Sequence, residues 1–421
     1  MPYRGAGYLE ALQIIGGRPL TGTLRVQGSK NAALPILAAA AALPGRFALD
    51  NCPDIRDVTV LRQLLAGLGI ETRRDGTRLL VNSLEAAPEA PDPRLSGQLR
   101  ASVLLLGALL ARWGRAEIPL PGGCLLGARP LDLHLGALEA LGVEVCCRED
   151  RLLCRGRPRG GTVILRYPSV GATENLLLAA LGASGPVRIL GAAREPEIQD
   201  LAAFLRACGL QITGAGSGCI CLRPGPLHGA AHRILPDRME AATWLCAAAA
   251  TGGRVTLEGL RPRQLEPLLR ALVSAGCRMR QGADWLRLEA GPLAAIAPIV
   301  TGPYPAFPTD AQAPLMGALL RADGVTIFEE TVFENRFRHV PALGAFGARI
   351  ETAGRVARVT GVERLHGASV EATDLRGAAA LVIAALAAQG ESQITQARHL
   401  DRGYENFAAR LRQLGAVAEE P

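Results

Sequence analysis

Two kinds of apolar helix alternate along the chain. In the first kind, polar residues are confined to the opening turn and the rest is apolar on every side. Such runs are SKNAALPILAAAAAL from Ser29, QLRASVLLLGALLA from Gln98, SVGATENLLLAALGA from Ser169, DRMEAATWLCAAAA from Asp237, TDAQAPLMGALL from Thr309 and TDLRGAAALVIAALAA from Thr373. A helix with no polar face beyond its first turn must be buried all round. In the second kind, apolar residues recur every three or four positions, as at Leu131, Leu135, Leu138 and Leu141, so one side faces water. These helices end in a small residue–glycine step into a strand, at Gly69, Gly142, Gly209, Gly276, Gly347 and Gly415. The gaps between those glycines are 73, 67, 67, 71 and 68 residues. A strand signal opens ahead of each amphipathic helix, and several units close in a hairpin, most clearly Glu71 to Asn82 around Asp75 and Gly76. The spacing predicts six copies of a roughly βαβαββ unit.

The sixth copy stops after Gly415 without its hairpin, while strand patterns around Leu12 and Leu24 precede the first copy. The N-terminus is therefore expected to complete the sixth unit. The chain then forms two α/β globules of three units each, with buried helices inside and strands outside. Residues 30–237 make one, inserted into a discontinuous second made of 1–29 and 238–421, and the chain crosses near residues 29 and 238.

The polar residues of the buried helices sit at their starts: Lys30 and Asn31, Arg100, Ser169, Gly171 and Thr173, Asp237, Arg238 and Glu240, Asp310, Asp374 and Arg376. Helix starts present unpaired N–H groups and a partial positive charge. Capping accounts for Ser169, Thr309 and Thr373. Lys30, Arg100 and Arg376 oppose the dipole and call for an anion. If three units bundle in each globule, an anion between the two ends would meet those cations together with Arg129, Arg336 and Arg402.

Composition narrows the classes. The net charge is +7, yet there is no run of five like charges and no basic stripe interleaved with aromatics, so small anions suit these arginines better than nucleic acid. Lysine occurs once, at Lys30, against 45 arginines, and a compact ammonium is not replaceable by a guanidinium at every phosphate site. The ten cysteines form no CxxC pair, and most read as small buried hydrophobes of a reducing compartment. MPYRGAGYLE has no apolar signal core, and the longest apolar runs fall short of the about 20 residues a membrane span needs. A cytoplasmic protein with no membrane partner is expected. No phosphate-binding GxxxxGK[ST], dinucleotide GxGxxG, HExxH or EF-hand pattern is present, so neither a cofactor nor a metal is expected.

One loop stands out. Pro121, Gly122 and Gly123 exclude regular structure around Cys124, and Arg129 and Pro130 lead into the next helix. Positive charge and helix-start N–H groups near a thiol favour the thiolate. The same residues also suit an ordinary turn around a small apolar side chain.

The motifs SKNAALP (29–35), LRAS (99–102), PGGCLLGARPLDLH (121–134), PSVGAT (168–173), AAREPEI (192–198), LPDRME (235–240), PAFPTD (305–310), FENRFRHV (333–340), ATDLR (372–376) and HLDRGYE (399–405) resemble, in order and over nearly the whole chain, the UDP-N-acetylglucosamine 1-carboxyvinyltransferases of the enolpyruvyl transferase family. The resemblance implies two inside-out α/β barrels of three units each. It implies transfer of enolpyruvyl from phosphoenolpyruvate to the sugar 3′-hydroxyl, the first committed step of peptidoglycan precursor synthesis. It makes Cys124, on a loop spanning 121–129, the acid that protonates the methylene and the target of thiol-directed epoxides such as fosfomycin. Lys30, Asn31, Arg129 and Arg402 would hold phosphoenolpyruvate, and Asp310 would orient or deprotonate the sugar hydroxyl. Arg100, Arg129, Pro130, Leu131, Asp132, Leu133, Ser169, Val170, Gly171, Asp310 and Val332 would bind the nucleotide sugar, with Arg336 and Arg376 as supporting cations. Lys30, Cys124, Asp310 and Arg402 form the catalytic group. Tyr167 and Pro168 depart from the pattern, since some members carry lysine there. The alternatives are a 5-enolpyruvylshikimate-3-phosphate synthase-like transfer and a non-catalytic nucleotide-sugar-binding paralogue. The sequence is compatible with a monomer but does not set the oligomeric state.

Overall fold

The computed structural model describes residues 9–120 and 131–421. Cys124, Arg129 and Pro130 lie outside the described residues.

Five of the six all-round apolar runs form one helix each at Lys30–Ala42, Val170–Ala179, Arg238–Ala250, Thr309–Ala318 and Leu375–Ala387. The sixth begins as a 3₁₀ turn at Arg100–Val103 and continues as Leu104–Trp113. Every residue of Arg238–Ala250 and of Leu375–Ala387 is buried. Capping corrects one expectation. Ser169 does accept from the Ala172 N–H, but the cap before Leu375–Ala387 is Asp374, not Thr373, and Thr309 instead donates its hydroxyl to Glu330. Asp374 stands at the N-cap position itself, where its Oδ1 accepts from both the Arg376 and Gly377 N–H groups, whereas Thr373 lies one residue further out.

All six helix-ending glycines have positive φ, from 75° at Gly69 to 111° at Gly276. In five of them the following residue's N–H reaches back to the helix, as from Ile70 to the Leu65 carbonyl, which is the left-handed C-terminal cap that favours glycine.

The described residues divide into two compact units, one holding Pro236–Pro421 together with the chain up to Gln27, the other holding the chain from Gly28 to Leu235. In the Gly28–Leu235 unit the helices Lys30–Ala42, Leu104–Trp113 and Val170–Ala179 pack on one another. In the other unit Arg238–Ala250, Thr309–Ala318 and Leu375–Ala387 do the same. Each set is enclosed in its own apolar core.

Among the described residues there are six small sheets, five of four strands and one of three. The usual plan is a strand opener flanked on one side by a parallel strand and on the other by an antiparallel hairpin, as in Ala231–Arg233, Arg46–Asp50, Arg78–Asn82, Glu71–Asp75. The N-terminal strands occupy two different sheets. Ala11–Ile15 pairs antiparallel with Glu391–Thr395 and with Val417–Glu419, standing where the other sheets have their second hairpin strand. Thr21–Arg25 runs parallel to Arg254–Glu258, so it serves the fourth unit rather than the sixth. Its register, Leu24 beside Leu257, points both leucines into the core.

Candidate active site

In the Gly28–Leu235 unit, Lys30 opens its helix and its Nζ lies 3.3 Å from Asp57 Oδ2. Asp57, itself buried, supplies the anion that a lysine at a helix start requires. Asn31 follows, half-buried. Ser169, Val170 and Gly171 form the start of the Val170–Ala179 helix, and Leu131, Asp132 and Leu133 the start of Asp132–Glu139. Asp132 is surface-exposed and pairs with Arg166 at 3.2 Å.

His134 ties these helix starts together. It is buried, and its Nδ1 lies 2.8 Å from Asn175 Nδ2. Asn175 Oδ1 accepts from the Gly107 N–H, so the amide group facing His134 is the donor and His134 carries its proton on Nε2. Burial, helped by the charge of Arg100, lowers the His134 pKa to about 4. A Cβ on Gly171 would stand 3.0 Å from His134 Cε1 and 3.2 Å from Nε2, so glycine lets the 169–171 segment lie close against the ring. The sequence placed His134 within a motif but gave it no role. Its signal is a histidine two residues past the polar start of a helix.

In the Pro236–Pro421 unit, two arginines converge on Asp310, in the first turn of Thr309–Ala318. Arg336 Nη2 donates to Asp310 Oδ1 at 2.9 Å and to the Thr309 carbonyl at 2.9 Å. Arg376 Nη2 donates to Asp310 Oδ2 at 3.1 Å, and its Nη1 donates to the Tyr404 hydroxyl, also at 3.1 Å. Tyr404 OH is 2.8 Å from Thr243 Oγ1, which sits on the Arg238–Ala250 helix. Both guanidinium groups are buried, while Asp310 keeps 31% of its side chain exposed. Burial works against the Arg376 charge, but Asp310 beside it keeps the guanidinium firmly protonated. The anion that Arg376 called for is thus Asp310, a residue of its own unit.

Val332 is placed by Glu330, whose Oε1 accepts from the Val332 and Phe333 N–H groups at 2.8 and 2.9 Å while its Oε2 accepts from Thr309 Oγ1 at 2.9 Å. Glu330 is fully buried. Composition could not single it out among 39 acidic residues. Arg402 ends the 3₁₀ turn Ala397–Arg402, in a segment bounded by left-handed Gln396 and Asn406. His339 is buried close to Arg336 and Asp374, with neither ring nitrogen hydrogen-bonded, and burial lowers its pKa to about 4.

Among the described residues no cluster of three or more His, Cys, Asp or Glu side chains could hold a metal ion, and no helix is long and apolar enough to cross a membrane. All nine described cysteines are free. Five are buried, and burial pushes the thiols of Cys154 and Cys208 up to about 12. Cys146 and Cys147 correct the expectation of burial: both are exposed, because they lie on the edge strand of the three-stranded sheet.

The chain matches the family model for EPSP synthase (3-phosphoshikimate 1-carboxyvinyltransferase) over residues 14–411. It is 46% identical over 413 residues to a UDP-N-acetylglucosamine 1-carboxyvinyltransferase of Gluconacetobacter diazotrophicus, covering 96% of this chain and 98% of the relative. The enzyme of that name from Dichelobacter nodosus is 46% identical over 418 residues, covering 98% and 99%. The chain belongs to the enolpyruvyl transferase family. Among solved structures of enolpyruvyl transferases, NikO from Streptomyces tendae superposes with a TM-score of 0.88 at 28% identity, covering 97% of this chain and 98% of that one. An EPSP synthase from Acinetobacter baumannii shares the fold with a TM-score of 0.74 at 19% identity, covering 97% and 99%. As an enolpyruvyl transferase, the chain divides its candidate residues by unit. Lys30, Asn31, Arg100, Leu131–Leu133 and Ser169–Gly171 fall in one, and Asp310, Val332, Arg336, Arg376 and Arg402 in the other.

Proposed function

We propose that the chain transfers the enolpyruvyl group of phosphoenolpyruvate to the 3′-hydroxyl of UDP-N-acetylglucosamine and releases phosphate. The observation that carries this reading is the 45–46% identity, over 96–98% of the chain, to transferases bearing that name. The reaction adds a proton to the methylene carbon and the sugar oxygen to C2. Return of a proton from the methyl group then accompanies C–O cleavage to phosphate. An acid, a base and cations for phosphate and carboxylate are the parts required.

In this reading Cys124 supplies the proton to the methylene, and its loop closes over the substrates and excludes water. Lys30, Asn31, Arg129 and Arg402 hold phosphoenolpyruvate. Arg100, Arg129 to Leu133, Ser169 to Gly171 and Val332 bind the nucleotide sugar. Asp310 orients or deprotonates the sugar hydroxyl, and Arg336 and Arg376 support it. Because the Val332 N–H is already engaged by Glu330, its carbonyl is the group left for the ligand. The two units correspond to inside-out α/β barrels of three repeats, divided near residues 29 and 238. The reaction serves peptidoglycan precursor synthesis in the cytoplasm.

Incubation with both substrates and a phosphate-release assay tests the reading. Release that depends on UDP-N-acetylglucosamine supports it. Release with shikimate 3-phosphate instead would assign the sister reaction, which the 19% identity to the EPSP synthase structure disfavours. Binding of the nucleotide sugar without any release would assign a non-catalytic paralogue. Cys124→Ala should abolish turnover and leave nucleotide-sugar affinity unchanged by calorimetry. Cys124→Asp should keep part of the rate and resist epoxide inactivation, because a carboxylic acid also donates a proton. Lys30→Arg should raise the KM for phosphoenolpyruvate, since the broader guanidinium cannot reproduce the ammonium contact with Asp57.

A further inference from the structure

Gln27 is the last residue of the N-terminal segment before the chain enters the other unit. It is buried, and its polar atoms are engaged within the Pro236–Pro421 unit. Its backbone N–H donates to Glu240 Oε2 at 2.9 Å, and its carbonyl accepts from the Asp237 N–H at 2.8 Å. Its side chain donates from Nε2 to the Gly403 carbonyl at 2.9 Å and accepts at Oε1 from the Glu405 N–H, also at 2.9 Å. The amide thus brackets Tyr404 as a neighbouring strand would, taking the carbonyl before it and the N–H after it.

The bracketed turn follows directly on Arg402. Its far side is fixed by Asn406, with φ of 44°, and the segment opens at Gln396, with φ of 53°. Its centre is fixed by Tyr404, whose hydroxyl meets Thr243 and Arg376, the latter holding Asp310. Glu240 anchors Gln27 in turn. This fully buried carboxylate accepts from the Gln27 N–H and from Trp244 Nε1 at 2.6 Å, and pairs with Arg410 Nη1 at 2.7 Å. Arg410 also stacks over Trp244 and lies 3.5 Å from Gln27 Oε1. Two buried polar groups bonded in this way fix one backbone geometry, because a shift leaves a desolvated donor or acceptor unmatched.

We propose that Gln27 is a positioning residue for Arg402: its side-chain amide sets the Gly403–Glu405 turn and thereby where the Arg402 guanidinium can reach. The inference rests on the reading of Arg402 as a phosphoenolpyruvate clamp. Gln27 touches no substrate. It acts by removing the freedom of a turn whose movement would loosen the clamp.

Gln27→Met keeps the side-chain volume and removes both amide bonds. The KM for phosphoenolpyruvate should rise about tenfold, with kcat and the Kd for UDP-N-acetylglucosamine within about twofold of the parent. In an Arg402→Lys background, which keeps the positive charge but loses the fork, Gln27→Met should change that KM by less than about twofold. An unchanged KM in the parent background, an equal rise for both substrates, or the same tenfold factor in the Arg402→Lys background would each overturn the proposal. A merely structural glutamine would give the second or third of these. If Arg402→Lys alone leaves the phosphoenolpyruvate KM at the parent value, the clamp reading itself has failed, an outcome distinct from failure of Gln27 alone. Should Gln27→Met not fold by circular dichroism, Gln27→Glu keeps the bond from Glu405, loses the donor to Gly403, and is judged by the same comparison.

Discussion

Both oxygens of Asp310 are occupied by buried guanidinium groups, and this arrangement sets what the residue can do. Arg336 and Arg376 fix the carboxylate in one orientation. The same pairs compensate two buried positive charges. Asp310→Asn should therefore fail twice: turnover should fall by at least about 100-fold, as for loss of a positioned acid–base group, and stability should drop by about 2–3 kcal/mol because the two arginines lose their counter-charge. Urea denaturation alongside the phosphate-release assay separates the two effects. A variant as stable as the parent would show that the arginines are neutralised elsewhere.

At the scale of elements, the repeated unit depends on its helix-ending glycine, and two copies isolate the reasons. Gly415 has φ of 86° with open space around the position a Cβ would take. Gly209 has φ of 101° and the Pro226 carbonyl oxygen 2.1 Å from that position. Gly415→Ala should cost about 1 kcal/mol, the conformational term alone, whereas Gly209→Ala should cost roughly 3 kcal/mol or more, since the loop carrying Pro226 must also move. Thermal unfolding of the two variants measures the difference, and equal costs would mean that backbone conformation, not close approach, governs both sites. The repeat period was legible because these glycines are spaced by geometry that no other residue satisfies cheaply. The caps were less legible. A threonine, an aspartate and a serine at a helix start look alike in a sequence, and only local backbone direction decided that Asp374 caps while Thr309 turns toward Glu330.

At the scale of the whole molecule, each unit holds a buried neutral histidine, His134 in one and His339 in the other, each with its pKa lowered from 6.5 to about 4, chiefly by burial. The folded chain thus binds these protons more weakly than the unfolded chain. Their contribution to stability is complete above about pH 6.5 and is lost as the pH falls toward 4. At pH 5 the loss should be about 2 kcal/mol for each histidine. His134→Gln should flatten the decline of urea-denaturation stability between pH 7 and pH 5 without abolishing it, because His339 still titrates. A variant with the parent's slope would show that His134 is charged or solvated in the fold.

The sequence by itself determined the number of repeats, the all-round burial of six helices, the family and the identity of the candidate residues. Periodicity, left-handed glycines and short polar motifs are local, and the chain carries them without reference to anything distant. Only the tertiary structure decided the partners. It put Asp57 beside Lys30, two arginines on Asp310, His134 under Gly171 and Gln27 around Tyr404, and it sent the two N-terminal strands into different sheets. Such pairings join residues up to hundreds of positions apart, and they form because a buried charge or amide must find its complement wherever packing brings one.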